Sequence, residues 1–559
     1  MSSVRRRRYG DPACPSALHL GSCRSLGVIV IATIPAATVL GVHGQPVVVE
    51  VHVSNGLPGF TIVGQPDTAC REARDRVRAA ILSSGLVWPS TRVTVNLAPA
   101  DVRKVGASLD LAIAVGVLVA TGQIPEDRVS GRAFLGELGL DGSVRRFPGV
   151  VPTVDAVKSP EVVVPLECVD LARLLESHHV RAASTLLRVF EALCGTAPWP
   201  DTERGGPPPL LPYIADMADV RGQPVARFAM EIAAAGSHHV LLCGPPGSGK
   251  TMLAERLPGI MPRLTHDESL EVLRVHSAAG LDVNLTALPT VVPFRSPHHL
   301  ASAVGLLGGG SAWLRPGELS CAHRGVLFLD ELGEFPANVL DALRQPLERG
   351  TIAVDRARAS VVFPARFLLV AATNPCPCGW ASAGAPIISE RGERRPTCRC
   401  GAAALQRYAR RLSGPFLDRF DLCLEVERPD PVELFTATEM ESSATVADRV
   451  AAARALALAR QGVNNASLMS NQLDTFASLS FASRRLLDSL LRRGEITARG
   501  VARIRRVART VGDLRVVSSW STSLTTSESG CTTTSMLTDD DVALALELRR
   551  RPSFEGLAA

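Results

Sequence analysis

The chain has 559 residues, too many for one hydrophobic core, and its 46% hydrophobic and 21% charged residues exclude wholesale disorder, coiled coil and collagen-like architectures. Sixty Lys and Arg against 55 Asp and Glu leave a net charge of +5, so the total neither demands nor excludes a nucleic-acid partner, and any basic site must be local. Thirteen cysteines are too few, and odd in number, for a disulfide scaffold; they point to a reducing, cytoplasmic compartment.

Arg5 to Arg8 followed by the apolar run Leu26 to Val42 imitates a signal peptide or membrane anchor. Pro35 interrupts that run, which also falls short of the ~20 apolar residues of a spanning helix. No membrane partner is therefore expected, and residues 1–37 are expected to form a disordered leader. From 38 to 196 the chain alternates β-rich runs, 47–53 and 92–97, with helical patterns over Asp67 to Ser84 and Asp110 to Thr121, which predicts a compact α/β or α+β domain. Ser108 is expected to cap the second of these helices. A Pro/Gly-rich stretch, 197–211, reads as a semi-rigid linker. Residues 212–429 carry most of the recognisable chemistry, and 430–559 is apolar at helical spacing, predicting a small helical domain. Within it the Ser/Thr-rich segment 516–538 is expected to be an exposed loop before a last helix, Asp539 to Arg551.

The strongest motif is Gly244, Pro245, Pro246, Gly247, Ser248, Gly249, Lys250 and Thr251, between an apolar run ending at Cys243 and a helical pattern. Glycines let backbone N–H groups turn inward to cradle phosphate, the helix N-terminus favours negative charge, Lys250 reaches the outer phosphates of ATP, and Thr251 ligates Mg²⁺. The apolar run 326–329 delivers Asp330 as a second Mg²⁺ ligand and Glu331 to orient and polarise the attacking water. A third run, Phe367 to Thr373, ends in Asn374, which could bond that water or the γ-phosphate from a strand between the other two.

Cys376, Cys378, Cys398 and Cys400 form two Cys-x-Cys pairs. Four thiolates suit a structural tetrahedral Zn²⁺, although the spacing departs from Cys-x-x-Cys, and reduced thiols or a redox-sensitive pair remain alternatives. Around them Arg391, Arg394, Arg395, Arg399, Arg407, Arg410 and Arg411 face the single acid Glu393. Arg499, Arg503, Arg506 and Arg509 share one side of a helix. Either group could contact DNA phosphates or be a solvated charged face. His298 and His299 read as loop or interface residues, since neighbouring histidines point apart and no carboxylate follows at ligand spacing.

Several long stretches together resemble the Mg-chelatase-like AAA+ ATPases of the ComM/YifB type: Ser-Asn-Gly-Leu-Pro-Gly-Phe-Thr-Ile-Val-Gly-Gln-Pro-Asp (54–67), Val-Asn-Leu-Ala-Pro-Ala-Asp (95–101), Phe-Arg-Ser-Pro-His-His (294–299), Leu-Arg-Gln-Pro-Leu-Glu (343–348), Asn-Pro-Cys-Pro-Cys-Gly (374–379) and Ser-Gly-Pro-Phe-Leu-Asp-Arg-Phe-Asp (413–421). The resemblance implies an α/β multidomain chain: a Lon-protease-like, ribosomal S5 domain 2-like N-terminal domain, an AAA+ P-loop ATPase core and a C-terminal helical lid. It implies a hexameric ring of copies of the chain with ATP at subunit interfaces, Arg419 as an arginine finger and Arg499 as the lid arginine called sensor 2. It also implies that the hairpin pattern 350–367 faces a pore, with Arg356 and Arg358 as candidate DNA contacts. A Ser108–Lys104 protease dyad is not expected, because the continuation Leu-Asp-Leu-Ala-Ile-Ala resembles the non-proteolytic pattern. The leading expectation is a Mg²⁺-dependent ring motor on DNA, acting in branch migration during recombination or transformation. The alternatives are a chaperone-like or chelatase-like ATPase that remodels a protein client, and a nucleotide-gated scaffold.

Overall fold

A computed structural model describes residues 31–200, 214–281, 287–310, 314–356, 359–381, 398–412, 414–429, 435, 440–522 and 536–550. The linker from 201, Arg358, the basic residues 391–395 and the Ser/Thr-rich segment from 523 to 535 lie outside them. Among the described residues no helix is long and apolar enough to cross a membrane.

The first strand, Ile31–Leu40, begins inside the expected leader, so the disordered reading of 31–37 is corrected. It pairs antiparallel with His43–Ser54 at the edge of a four-stranded sheet completed by Arg92–Ala98 and Gly59–Val63. Pro35 is tolerated there because an edge strand has one side without ladder bonds. The helix Thr68–Ser83 starts where Asp67 accepts from Cys70 N at 2.8 Å. The helix Asp110–Ala120 is buried all round. Ser108 does not cap it: its hydroxyl donates to Ala37 O at 3.1 Å, spending that group on the first strand. Lys104 donates to Pro99 O.

The second unit is built on five parallel strands in the order Phe294–Arg295, Val326–Leu329, Leu368–Thr373, Val240–Cys243, Leu422–Glu425. The three central strands are buried throughout and apolar except for the terminal Thr373, as expected of a parallel sheet covered on both faces. One face packs on the helices Pro224–Gly236, Lys250–Ile260 and the C-terminal helices. The other packs on the hairpin Thr351–Arg356/Ala359–Pro364 and on the helix Ala402–Arg411. The N-terminal domain docks through the helix His266–Ala279: Leu273 enters the N-terminal core, while Ser277 accepts from Gly149 N through its carbonyl and from Val151 N through its hydroxyl.

The C-terminal region is helical, with Ser443–Gln461, Phe481–Arg492, Ala498–Thr522 and Asp539–Glu547. Two expectations are corrected here. The segment from Val516 to Thr522 is helix, not loop, because Val517 still faces the core beside Leu514. The last helix ends at Glu547 because Leu548 O accepts from Cys423 N and Arg549 donates to Phe420 O, which turns the chain onto the edge of the sheet.

The basic stripe on the long helix also turns inward. Arg503 binds Asp421 at 2.5 Å, Arg506 donates to Leu468 O, and Arg509 binds Asp513 at 2.7 Å. Asp513, 1% exposed, also takes a bidentate pair from Arg460 and a bond from Asn465. Asp513→Ala strands two buried guanidinium groups, so urea denaturation is expected to show a loss of about 3–5 kcal/mol; an effect below about 1 kcal/mol would show that the network is idle.

His239 lies beside this junction. Its Nδ1 accepts from Leu369 N at 3.0 Å, and burial, outweighing the attraction of Asp421, pushes its pKa down from 6.5 to about 4. Between those values the unfolded imidazole takes a proton that the folded one refuses, so this contribution to stability is complete above about pH 6.5 and is lost as pH falls toward 4. Melting temperature measured across that window is expected to fall less steeply in His239→Asn; identical slopes in the two proteins would remove His239 from the account.

Candidate nucleotide site

Three neighbouring strands end at one place. Val240–Cys243 runs into the loop 244–249, which feeds the helix Lys250–Ile260 through Gly249 at φ +90°, a conformation that glycine adopts without a Cβ penalty. The Lys250 ammonium is held by Gly244 O at 2.7 Å, Pro245 O at 2.9 Å and, from the central strand's end, Asn374 Oδ1 at 3.3 Å. Burial lowers its pKa, opposed by the negative charge of Asp330. Thr251 Oγ1 donates to Asp330 Oδ2 at 2.9 Å, which places two hard oxygen donors side by side beyond the helix's first turn. That donor set suits Mg²⁺, which prefers one or two carboxylates and retains waters or phosphate oxygens as its other ligands.

Glu331 follows with φ +50°, a left-handed conformation that costs a non-glycine residue on the order of 1–2 kcal/mol and commonly marks a functional position. Glu334 N donates to its carbonyl at 2.8 Å, and two further contacts hold it there. Its N–H donates to Asp330 Oδ1 at 2.8 Å, and its carboxylate lies 3.2 Å from His299 Nδ1. Ser296, Pro297, His298, His299, Asp330 and Glu331 line one shallow cleft. The His299 ring is braced by His298 at 4.1 Å between centroids and edge-on by Phe335 at 6.4 Å. Sequence reasoning set the histidines aside because it looked for a carboxylate nearby in the chain; the parallel pairing of Phe294–Arg295 with Val326–Leu327 supplies one from the next strand.

Arg428 was missed altogether. It donates to Pro246 O through Nε (3.2 Å) and Nη2 (2.9 Å) and lies 4.6 Å over the ring of Trp380, so a cation of the same chain is fastened to the loop 244–249. No spacing rule marks it in the sequence, since it sits just beyond the last strand of the sheet.

Arg419 and Arg499 lie within electrostatic range of each other. Arg419, nine-tenths buried, binds Glu348 at 2.5 Å, and the positive charges of Arg344, Arg499 and Arg503 lie within electrostatic range of it. Burial lowers its pKa, with Glu348 opposing. Arg499 itself is exposed. Cys376, Cys378, Cys398 and Cys400 bring their sulfurs within 4.8 Å of one another, an arrangement that could hold a metal ion.

Models of the magnesium chelatase subunit ChlI match three parts of the chain: residues 49–167 (subunit ChlI of Mg-chelatase), 216–434 (magnesium chelatase, subunit ChlI) and 440–523 (its C-terminal part). Competence protein ComM of Haemophilus influenzae is 40% identical over 492 residues, covering 87% of this chain and 94% of that protein. YifB of Escherichia coli is 42% identical over 484 residues, covering 85% and 92%. The chain belongs to the Mg-chelatase-like ComM/YifB family. With the family come an AAA+-like ATPase organisation and the mixed α/β, multidomain architecture described above. The magnesium-chelatase 38 kDa subunit of Rhodobacter capsulatus is more distant, 28% identical over 243 residues and covering 40% of this chain and 58% of that subunit.

Proposed function

We propose that the ComM/YifB-type chain described here is a cytoplasmic, Mg²⁺-dependent ATPase that assembles into a hexameric ring and moves on DNA, in branch migration during recombination or transformation. The observation that carries the ATPase reading is the meeting of Lys250, Thr251, Asp330 and Asn374 at the ends of three adjacent strands. In this reading the loop Gly244 to Gly249 wraps the phosphates, and Lys250 trades its carbonyl partners for the β- and γ-phosphate oxygens. Thr251 and Asp330 would hold Mg²⁺, which when bound neutralises phosphate charge. Glu331, steadied by His299, orients and polarises the attacking water, and Asn374 fixes the γ-phosphate side of that water. Arg419 serves as the finger into a neighbouring subunit's site, with Arg499 beside it as sensor 2. The N-terminal domain is read as the S5 domain 2-like fold.

DNA is favoured as the client by the similarity to ComM, a competence protein by name, and by exposed arginines near the ATPase core: Arg356 at the hairpin end, and Arg399, Arg407 and Arg410 around the cysteine loop. The stripe Arg503, Arg506 and Arg509 is not among them, being spent on internal partners. A protein client is the second reading, supported by the magnesium chelatase likeness of the whole frame. ATP hydrolysis measured with single-stranded, duplex and four-way-junction DNA, against Lys250→Ala as the blank, decides between them. Stimulation of severalfold by one of these DNAs, with movement of the branched substrate, is expected; Lys250-dependent hydrolysis indifferent to all three would give the client back to protein.

A further inference from the structure

The cysteine loop is tied to the phosphate loop as well as to itself. Cys376 follows Asn374 by two residues and is fully buried; among the described residues the apolar cluster it joins holds Ala381 and Leu405, with Cys378, Cys398 and Cys400 partly buried against it. The sulfurs of that cluster lie close together. Cys376 and Cys378 are 3.3 Å apart, Cys376 and Cys398 3.7 Å, and Cys378 and Cys398 3.6 Å, with Cys400 completing the group. A tetrahedron with Zn–S arms of about 2.3 Å has edges of about 3.8 Å, so the four sulfurs already surround a space of the right size. Backbone N–H groups support them as the outer ring of a metal–thiolate centre commonly does: Ala381 N donates to Cys376 Sγ and Cys400 N to Cys398 Sγ. Thiolates are soft ligands that select zinc over Mg²⁺, so the two metals of this chain would not compete for one site.

The same turn grips the ATP site at two points. Gly379 N donates to Cys376 O, and Gly379, at φ +82°, lies so close to the phosphate loop that a Cβ there would stand 2.6 Å from Pro246 Cδ. The next residue, Trp380, lies under Arg428, whose guanidinium holds Pro246 O.

We propose that the four cysteines form a structural zinc centre whose turn, through Gly379 and the Trp380–Arg428 pair, holds the phosphate loop in its nucleotide-binding shape, so that nucleotide affinity depends on zinc. Four thiols release four protons to solvent as Zn²⁺ binds, with no change of oxidation state, and no coordination position is left for a reacting ligand. The coupling rests on the ATPase reading above; the zinc centre does not.

Metal content by mass spectrometry and ADP binding by calorimetry test the two halves separately. The full chain is expected to carry about one zinc ion, which Cys398→Ser/Cys400→Ser loses, with ADP bound about tenfold more weakly. Gly379→Ala keeps all four thiols, so it should keep zinc and still weaken ADP severalfold, which distinguishes the coupling from a collapsed loop. Zinc far below one per chain after growth and dialysis in zinc would overturn the centre. Zinc present but ADP affinity unchanged in both variants would overturn the coupling. A zinc-loaded wild type that binds no ADP would overturn the ATPase reading and the coupling with it, leaving the metal count to uphold the centre.

Discussion

Glu331→Gln is expected to lower ATP turnover by about 10²–10⁴-fold while leaving nucleotide binding close to wild type, because the amide keeps the side chain's size but cannot take or attract a proton from water. The geometry makes this substitution clean. No hydrogen bond joins Glu331 to Lys250 or Thr251 among the described residues; its N–H meets the Asp330 carboxylate, its carbonyl accepts from Glu334 N, and its side chain meets the His299 ring. The strained backbone at φ +50° is unchanged by the substitution, so folding should be little affected. Steady-state hydrolysis beside an equilibrium ATP titration separates the two effects. Turnover within tenfold of wild type would remove Glu331 from the chemistry and leave its strained conformation without a function.

Arg419→Ala is the second large effect, about 10³-fold in turnover if the side chain completes a neighbouring subunit's site, since a guanidinium at the γ-phosphate is worth that much or more. In its own chain Arg419 pairs with Glu348, and the charges of Arg344, Arg499 and Arg503 lie within electrostatic range of it. Mixing subunits gives the decisive measurement. A ring of Glu331→Gln chains lacks the water-orienting carboxylate and a ring of Arg419→Ala chains lacks the finger, but at a mixed interface the first chain offers its arginine to the second chain's intact site. Activity reappearing in the mixture is the expected result; two silent proteins that stay silent together would confine Arg419 to a structural role.

The parts of the site that were legible in the sequence are those whose partners lie within a few residues. The loop 244–249 and the run into Asp330 each carry strand and turn in one short word, because a parallel strand must be apolar until it ends and polar where it ends. What was not legible depends on the order of strands in space. His299 meets Glu331 only because Phe294–Arg295 lies beside Val326–Leu329, and Arg428 meets Pro246 only because Leu422–Glu425 lies beside Val240–Cys243. The arginine stripe on the long helix teaches a different lesson. Helical spacing groups Arg503, Arg506 and Arg509, yet spacing says which residues share a face and not what that face meets; Asp421 and Leu468 O come from elsewhere in the chain, while Arg509 meets Asp513 one turn along its own helix. Ser108 failed for a similar reason: a hydroxyl before a helix has a local use, and here a strand 71 residues away takes it instead.

The docking of the helix His266–Ala279 bears on how this protein can be cut. Leu273 is completely buried in the N-terminal domain's core although it belongs to the ATPase half of the chain, and Gly149 N and Val151 N donate to the carbonyl and hydroxyl of Ser277. An ATPase fragment started after the linker would bare that leucine, together with the apolar face of the hairpin that Gly41 and Val42 cover. Such a fragment would expose a sticky flank and report poorly on the intact chain. The two halves share one packed face, so a cut between them removes part of the core of each.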